Sequence, residues 1–142
     1  MRIKIKEINQ YFFSTKVFVR ITDLNYGNHL SNEKMLSFAQ QARVDYLKSL
    51  GYGELTFAGK GIIMTDAAVV YKAEVHASDL LEIKLGIDDL SEYGFDFYYK
   101  ISNHATGKVV ANVKTGILCF DYTTQKIAKI PTVIAEILKK LP

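Results

Sequence analysis

The feature of this sequence that most constrains its fold is a long strand-forming stretch, from Gly61 to Tyr122, accompanied by a single long helical segment. Residues 62–75 are rich in β-branched residues, and apolar residues recur at alternate positions in 80–87, 95–101 and 109–119, which is typical of strands with one buried face. The chain of 142 residues has only 2 prolines, so almost every backbone N–H can join a sheet. We therefore predict long antiparallel strands throughout this stretch.

The residues before this stretch predict a strand, a polar turn and a helix. Residues 16–21 carry aliphatic side chains at alternate positions, which indicates a strand ending just before the turn. From Met35 to Leu50 apolar residues recur at helical spacing, which predicts a helix of about nineteen residues. Ser31 or Asn32 is expected to cap the start of this helix, and Gly51 to close its end.

A short amphipathic helix is predicted after Pro131. A sheet this long must cover its apolar face, and because only one long helix is available, we expect the sheet to wrap around it. This is the α+β arrangement known as the hotdog fold, predicted here as a single domain over residues 1–142. Such domains usually pair so that their sheets become continuous, so we expect a homodimer or homotetramer.

The composition limits the kinds of partner. A net charge of +3, with basic residues dispersed along the chain, is too weak a signal for nucleic acid but suits an anionic small molecule such as a nucleotide-bearing thioester. No apolar run approaches the ~20 residues needed to span a bilayer, so no membrane partner is predicted. The N-terminus lacks the apolar core of a signal peptide, and the predicted location is the cytoplasm.

The cysteine and histidine patterns give no sign of a bound metal. A single cysteine, Cys119, excludes an internal disulfide and a cysteine-rich metal site, and its spacing among core residues favours a buried apolar role. No metal-ligand spacing and no glycine-rich phosphate loop is present. We predict neither a metal nor an organic cofactor.

Residues 23–32, between the predicted strand and helix, hold more polar chemistry than a connection requires. They include a carboxylate, carboxamides, an imidazole and a hydroxyl beside a helix start. Exposed backbone N–H groups at a helix start can stabilise a carbonyl oxygen that gains negative charge. We therefore predict the functional site here, with the oxygen-binding N–H groups around Gly27 to Leu30.

Several segments occur in the order found in one enzyme group. They are Val19–Leu30, Ala42–Arg43, Tyr71–Glu74, Ser78–Leu81, Phe120–Asp121 and Ile130–Pro131. Through them the chain, from about Ser14 to Pro131, resembles the hotdog-fold acyl-CoA thioesterases of the 4-hydroxybenzoyl-CoA thioesterase-like group. The resemblance implies hydrolysis of acyl-CoA or acyl-carrier thioesters, with coenzyme A present only as part of the substrate.

The chain departs from many of these relatives at one position of the turn. Their turn is Asp-x-Asp, and its second aspartate is the catalytic carboxylate; this chain has Asn25 there. A neutral amide cannot act as a base or as a nucleophilic carboxylate. The turn is more similar to a subgroup with Asp-(Ile/Leu)-Asn-Tyr-Gly-x-His-Leu-x-Asn, and the acid must be sought elsewhere.

Two aspartates are candidates for the missing acid. Asp23 could activate a water molecule, or it could cap the turn and pair with Arg20 or Arg43. Asp66 lies in an apolar strand, where an unpaired carboxylate is costly to bury, so we expect it to have a partner or to face a cavity. Its strand could carry it to the turn of the same or a partner subunit, or its role could be purely structural.

His29 and Asn25 are the other candidate catalytic residues. His29 could activate water or donate to the leaving sulfur, or it could bond only its own loop. In plant acyl-carrier-protein thioesterases, which this turn also resembles, a histidine at the matching place takes part in catalysis. Asn25 could hold a water or polarise the carbonyl, or it could form an Asx turn.

Glu74 and His76 are predicted to lie at the surface or an interface. The predicted substrate-binding residues are Tyr26, Gly27, Asn28, Leu30, Asn32, Phe38 and Met64.

Two other functions remain open for such a sequence. A hotdog hydratase or dehydratase would place an Asp/His pair at the same site and would add or remove water on an acyl thioester. A non-catalytic acyl-CoA-binding protein would hold the ligand unchanged, and the asparagine in the turn would then reflect lost activity. Of these functions, only hydrolysis releases a free thiol.

Overall fold

The structure is a computed structural model that describes residues 1–141, which form one antiparallel sheet and two α-helices. The helices are α1 (Lys34–Ser49) and α2 (Thr132–Lys139). The strands are β1 (Phe13–Phe18), β2 (Gly61–Tyr71), β3 (Leu80–Asp88), β4 (Gly94–Asn103), β5 (Val109–Asp121) and β6 (Lys126–Ile127). The sheet order is β1-β3-β4-β5-β2, with β6 paired to β5. The predicted α+β hotdog arrangement is confirmed.

Helix α1 is the element that the sheet covers. It contacts β1, β3 and β5, and it buries one face that includes Phe38, Ala39 and Ala42. These residues belong to the same apolar cluster as Ile83 and Phe97 of the sheet. Because burying each large apolar side chain contributes about 1.5–3 kcal/mol, this packing fixes the start of α1 relative to the strands.

One polar network lies inside this core. The Arg43 guanidinium donates from Nη1 to the Tyr99 hydroxyl at 3.0 Å and from Nε to Glu54 Oε2 at 3.0 Å. The Tyr99 hydroxyl also shares a hydrogen bond of 2.7 Å with the Thr115 hydroxyl. Burial raises the pKa of Tyr99, so its phenol stays neutral and keeps its proton for this network.

The C-terminal end of α1 agrees with the prediction, and the N-terminal cap does not. Gly51 has a positive φ of 84° and its N–H donates to the Lys48 carbonyl at 2.9 Å, so the predicted helix end is confirmed. The predicted side-chain cap is wrong. The N-cap residue is Glu33, without a side-chain hydrogen bond, whereas Ser31 and Asn32 contribute backbone carbonyls to the first turn. Because the chain is already turning at 32–33, the helix itself begins later, at Lys34.

Strand β1 ends earlier than predicted, at Phe18 and not at Ile21, because Ile21–Asp23 forms a 3₁₀ turn instead of continuing the strand. At the opposite edge of the sheet lies β2, which pairs with β5 on one side and has a register irregularity between Met64 and Asp66. Within residues 1–141 no helix has both the length and the apolar character needed to cross a membrane.

Candidate active site

The turn before α1 is fastened to the chain segment that follows β2. The Leu30 N–H donates to the Val75 carbonyl at 2.8 Å, and a bridge between Leu24 and Leu30 closes the turn. The hydroxyl of Tyr71, the last residue of β2, donates to the Asn32 carbonyl at 2.8 Å. Backbone and side-chain bonds therefore hold the turn and the end of β2 side by side.

Asn25 organises the turn from within. Its Oδ1 accepts hydrogen bonds from the backbone N–H groups of Gly27 at 2.8 Å and His29 at 3.4 Å. A Cβ on Gly27 would lie 3.3 Å from this same oxygen, so glycine permits the close approach. The side-chain oxygen of Asn25 is thus committed to an Asx turn, which was one of the two interpretations left open by the sequence.

The N–H groups predicted to bind the carbonyl oxygen make hydrogen bonds within the protein. Those of Gly27 and His29 donate to Asn25 Oδ1, that of Asn28 donates to the Asn25 carbonyl, and that of Leu30 donates to Val75. Among residues 1–141, by contrast, no backbone carbonyl or side chain accepts a hydrogen bond from the N–H groups at positions 32 and 33. The donors available at the start of α1 therefore lie a few residues further along the chain than predicted.

A cavity of about 480 Å³ lies between the turn and the segment after β2. Its walls combine amide, imidazole and carboxylate groups with apolar and aromatic side chains, a mixture typical of small-molecule sites. The residues around it are Asn25, Tyr26, Gly27, His29, Leu30, Asn32, Met35, Tyr71, Ala73, Glu74 and Val75. The structure thus brings six of the predicted site residues together in one place.

The acid in this cavity is Glu74, and it lies next to His29. Glu74 Oε1 is 3.4 Å from Nδ1 of His29, and Glu74 Oε2 is 3.7 Å from Nε2 of His76. The two imidazole rings are 5.2 Å apart between centroids. Glu74 and His76 are exposed and His29 is partly exposed, so all three remain accessible to a ligand.

Asp23 does not reach this cavity. It is only 1% exposed, and its Oδ2 accepts hydrogen bonds from the backbone N–H of Arg20 at 2.9 Å and from Arg20 Nε at 3.4 Å. Burial alone would raise the pKa of Asp23, but the bonds from Arg20 and the charge of Lys34 hold it below its ordinary value. These contacts correspond to the alternative interpretation, in which Asp23 caps the turn and pairs with Arg20.

Asp66 is not in the cavity either; of the two alternatives left open by the sequence, a partner or a cavity, the structure gives it a partner. Its side chain is 63% exposed and both carboxylate oxygens accept hydrogen bonds from Lys114 Nζ, at 3.0 and 2.9 Å. The hydrogen bond from Lys114 holds the pKa of Asp66 below its usual range. In the chain as described, an ion pair on the outer surface of β2 accounts for this carboxylate.

Three of the predicted substrate-binding residues also lie elsewhere. Phe38 is buried and faces a second depression, which Asp23 also borders. Met64 is 51% exposed on β2, and Asn28, with a positive φ of 61°, belongs to the turn but does not border the cavity. The structure therefore narrows the predicted site to the side of the turn that faces the end of β2.

The sequence prediction missed Glu74 as a site residue, although part of the signal was present. Val75 is 2% exposed, so Glu74 and His76 on either side of it project away from the core. This alternation is visible in the sequence. What the sequence does not display is the hydrogen bond from Leu30 to Val75, which brings this segment beside His29.

Comparisons with known proteins identify a family and a named relative. Residues 19–138 match the model of the thioesterase-like superfamily. The long-chain acyl-CoA thioesterase FadM of Escherichia coli (strain K12) is 26% identical over 128 residues, which cover 89% of this chain and 97% of that protein.

Solved structures resemble this chain over almost its whole length. The 1,4-dihydroxy-2-naphthoyl-CoA thioesterase of Synechocystis superposes with a TM-score of 0.82 at 20% identity, covering 91% of this chain and 96% of that one. The DHNA-CoA thioesterase of Staphylococcus aureus gives a TM-score of 0.77 at 19% identity, covering 89% and 85%. At these identities the two structures establish the fold alone.

Proposed function

This chain belongs to the thioesterase-like superfamily, and from that premise we propose that it hydrolyses acyl-CoA thioesters in the cavity between the turn and the end of β2. The observation that carries the proposal is the pairing of Glu74 with His29 inside that cavity. The thioesterase name of the relative from Escherichia coli supports the reaction class. In the proposed reaction coenzyme A enters only as part of the substrate, and no other cofactor takes part.

His29 acts as the base in this proposal. A carboxylate beside one ring nitrogen orients an imidazole and stabilises its protonated form, which leaves the other nitrogen to take a proton from water. Here Glu74 Oε1 lies 3.4 Å from Nδ1, so Nε2 is the nitrogen left for water. Glu74 thus supplies the negative charge that Asn25 lacks, although it comes from a different segment of the chain.

The thioester carbonyl is proposed to lie at the start of α1. The N–H groups at positions 32 and 33 have no protein acceptor among residues 1–141, and Asn32 borders the cavity. Donors of this kind stabilise the oxygen that becomes negative when water adds to the carbonyl carbon. The C–S bond then breaks, and the thiol leaves with the proton that His29 took from water.

The apolar part of the cavity is proposed to hold the acyl group. Leu30, Met35 and Val75 form its apolar wall, and the aromatic ring of Tyr26 is fully exposed at its border. An acyl group in contact with these residues would place its carbonyl near the start of α1. The thiol-release assay described next compares long-chain, short-chain and aromatic acyl groups as substrates.

A thiol-release assay over long-chain, short-chain and aromatic acyl-CoAs tests the proposal, with Glu74→Gln and Asp66→Asn as matched variants. Both substitutions replace an exposed carboxylate by the corresponding amide, and only the first lies in the cavity. We expect hydrolysis of at least one substrate, a loss of about 10²–10⁴-fold in kcat in Glu74→Gln, and wild-type kinetics in Asp66→Asn. Full activity in Glu74→Gln would overturn the assignment.

We also propose that the active protein is a homodimer or homotetramer formed through β2. This strand lies at the edge of the sheet, and a free edge can pair with the same strand of another copy. Met64 and Tyr71 on β2 are 51% and 48% exposed, so a second copy paired with this strand would cover apolar surface. Light scattering coupled to size exclusion tests this, and a monomer at micromolar concentration would contradict it.

A further inference from the structure

His76 extends the His29–Glu74 pair to a cluster of three side chains. We propose that His29, Glu74 and His76 bind a zinc ion, and that the bound ion stops hydrolysis. The inhibitory part of this inference rests on the function proposed above, whereas the binding part rests on the cluster alone. The sequence spacing predicted no metal site, because the histidine in the turn and the Glu-x-His segment lie far apart along the chain.

The ligand set is one that zinc prefers. Two imidazole nitrogens and one carboxylate oxygen form the protein ligands of many zinc sites that keep a fourth position open for water. Here one ligand atom from each of the three residues lies within 4.8 Å of the others. The side chains come from two segments that the hydrogen bond from Leu30 to Val75 holds together, so the cluster is supported by backbone structure.

Two of the separations between ligand atoms are close to those of a tetrahedral site. Zinc bonds of about 2.0–2.1 Å place neighbouring ligands about 3.3 Å apart. The observed separations are 3.4 Å between His29 Nδ1 and Glu74 Oε1, and 3.7 Å between His76 Nε2 and Glu74 Oε2. The three ligand atoms lie within 4.8 Å of one another, so side-chain rotation must shorten the remaining separation, and the exposure of Glu74 and His76 permits it.

The charge environment also favours a cation. In the part of the chain that the structure describes, imidazoles are the only basic groups within ion-pair distance of Glu74. The exposed carboxylate of Asp66, by comparison, is paired with Lys114. A zinc ion would therefore bind a carboxylate that is not paired with a lysine or arginine, and the imidazole nitrogens of His29 and His76 lie beside that carboxylate.

Zinc binding and hydrolysis compete for the same atoms. The proposed base depends on Glu74 facing Nδ1 of His29, and a metal between them would take the lone pair of that nitrogen and a carboxylate oxygen. His76 is outside the hydrolytic machinery and contributes only to the metal site. It is therefore the residue whose substitution separates the two activities.

The experiment titrates untagged protein with zinc alone against a chromogenic chelator, and it uses His76→Asn with His104→Asn as the matched control. His104 is the remaining exposed histidine and lies in the turn between β4 and β5. We expect one zinc per chain for wild type and for His104→Asn, and at least about tenfold weaker binding for His76→Asn, since even an outer-shell partner is worth about 10–100-fold. Equal binding by wild type and His76→Asn, or no binding, would overturn the site.

Thiol release measured in parallel separates this inference from the function it builds on. Zinc should inhibit the wild type over the concentration range in which it binds, and a chelator should restore the rate. His76→Asn should keep the wild-type basal rate and require at least about tenfold more zinc for inhibition. Zinc binding that depends on His76 without effect on hydrolysis would overturn the inhibitory part. Binding in a protein that hydrolyses no acyl-CoA would refute the proposed function and leave the zinc site standing.

Discussion

Two polar clusters connect the helical part of the molecule to its strands, and they differ in how completely their groups are paired. In the core, Arg43 and Tyr99 make hydrogen bonds of 2.7 to 3.0 Å with Glu54, with Thr115 and with each other. At the cavity the groups remain accessible: Glu74 lies 3.4 Å from His29, and it also lies 3.7 Å from His76, which is outside the cavity and which the proposed hydrolysis does not use.

The difference in pairing indicates whether each cluster contributes mainly to stability or to ligand binding and catalysis. A buried polar group must be fully paired, because leaving it without a partner costs a large part of its solvation. Groups at a ligand site must instead keep donors and acceptors available for the ligand. The first cluster should therefore govern stability and the second should govern chemistry, and the variants below test that separation.

The largest effect is expected in the accessible cluster. His29→Gln removes the proposed base while retaining a polar side chain, so thiol release should fall by about 10²–10⁴-fold. The free energy of unfolding should change by less than about 0.5 kcal/mol, because the side chain is partly exposed. Steady-state kinetics and urea unfolding measure the two quantities. A large stability loss together with retained activity would reverse the assignment of roles.

The opposite result is expected in the buried cluster. Arg43→Met leaves Tyr99 and Glu54 without their shared donor, and because Glu54 is 29% exposed the cost should lie at the lower end of the range for breaking a buried pair, about 3 kcal/mol. Thermal or urea unfolding should show this loss. The matched variant Glu74→Gln, which also removes a charge from a cluster, should unfold like wild type. Equal destabilisation by the two substitutions would remove the distinction between the clusters.

A smaller effect is expected for Asp23, which is buried but lies beside the turn. Asp23→Asn should cost about 1–3 kcal/mol at neutral pH, because hydrogen bonds to a charged group are lost. The folded-state pKa of Asp23 is below its ordinary value near ~3.9, so its contribution is present above that pH and is lost as the pH falls through the folded-state pKa. The stability gap between wild type and variant should therefore close in acid. A gap that is independent of pH would exclude this explanation.

The smallest effect is expected at Asp66. Its pair with Lys114 is exposed, and such pairs contribute about 0–1 kcal/mol. Asp66→Asn should therefore leave unfolding almost unchanged, and any difference should shrink in high salt. A strong loss of hydrolysis in this variant would instead show that a second copy of the chain brings Asp66 to the site, as the sequence analysis allowed.

The fold was largely predictable because it depends on patterns that repeat along the chain. Strands are specified by alternation in β3, β4 and β5 and by β-branched residues in β2, and the single long helix leaves one economical way to cover them. The cap of α1 was not predictable in the same way. Several polar residues precede the helix, and which of them uses its backbone or its side chain depends on where the chain begins to turn.

The site was predictable only in part, because it joins a local motif to a distant one. The turn around His29 is recognisable from its residues, whereas the role of Glu74 depends on contacts made after folding. The search for an acid favoured aspartates in the turn and in the apolar strand. Both have other partners in the structure: Asp23 has Arg20 and Asp66 has Lys114.

The hydrogen bond from Leu30 to Val75 has a consequence for how such a site can diversify. It joins two backbone atoms, so this contact between the turn and the end of β2 does not depend on the side chains of either residue. His29 and Glu74, which line the cavity, are likewise not part of the bond that joins their two segments. A catalytic carboxylate could therefore be moved between the turn and the segment after β2 by substitution, while the hydrogen bond that joins these two segments is kept.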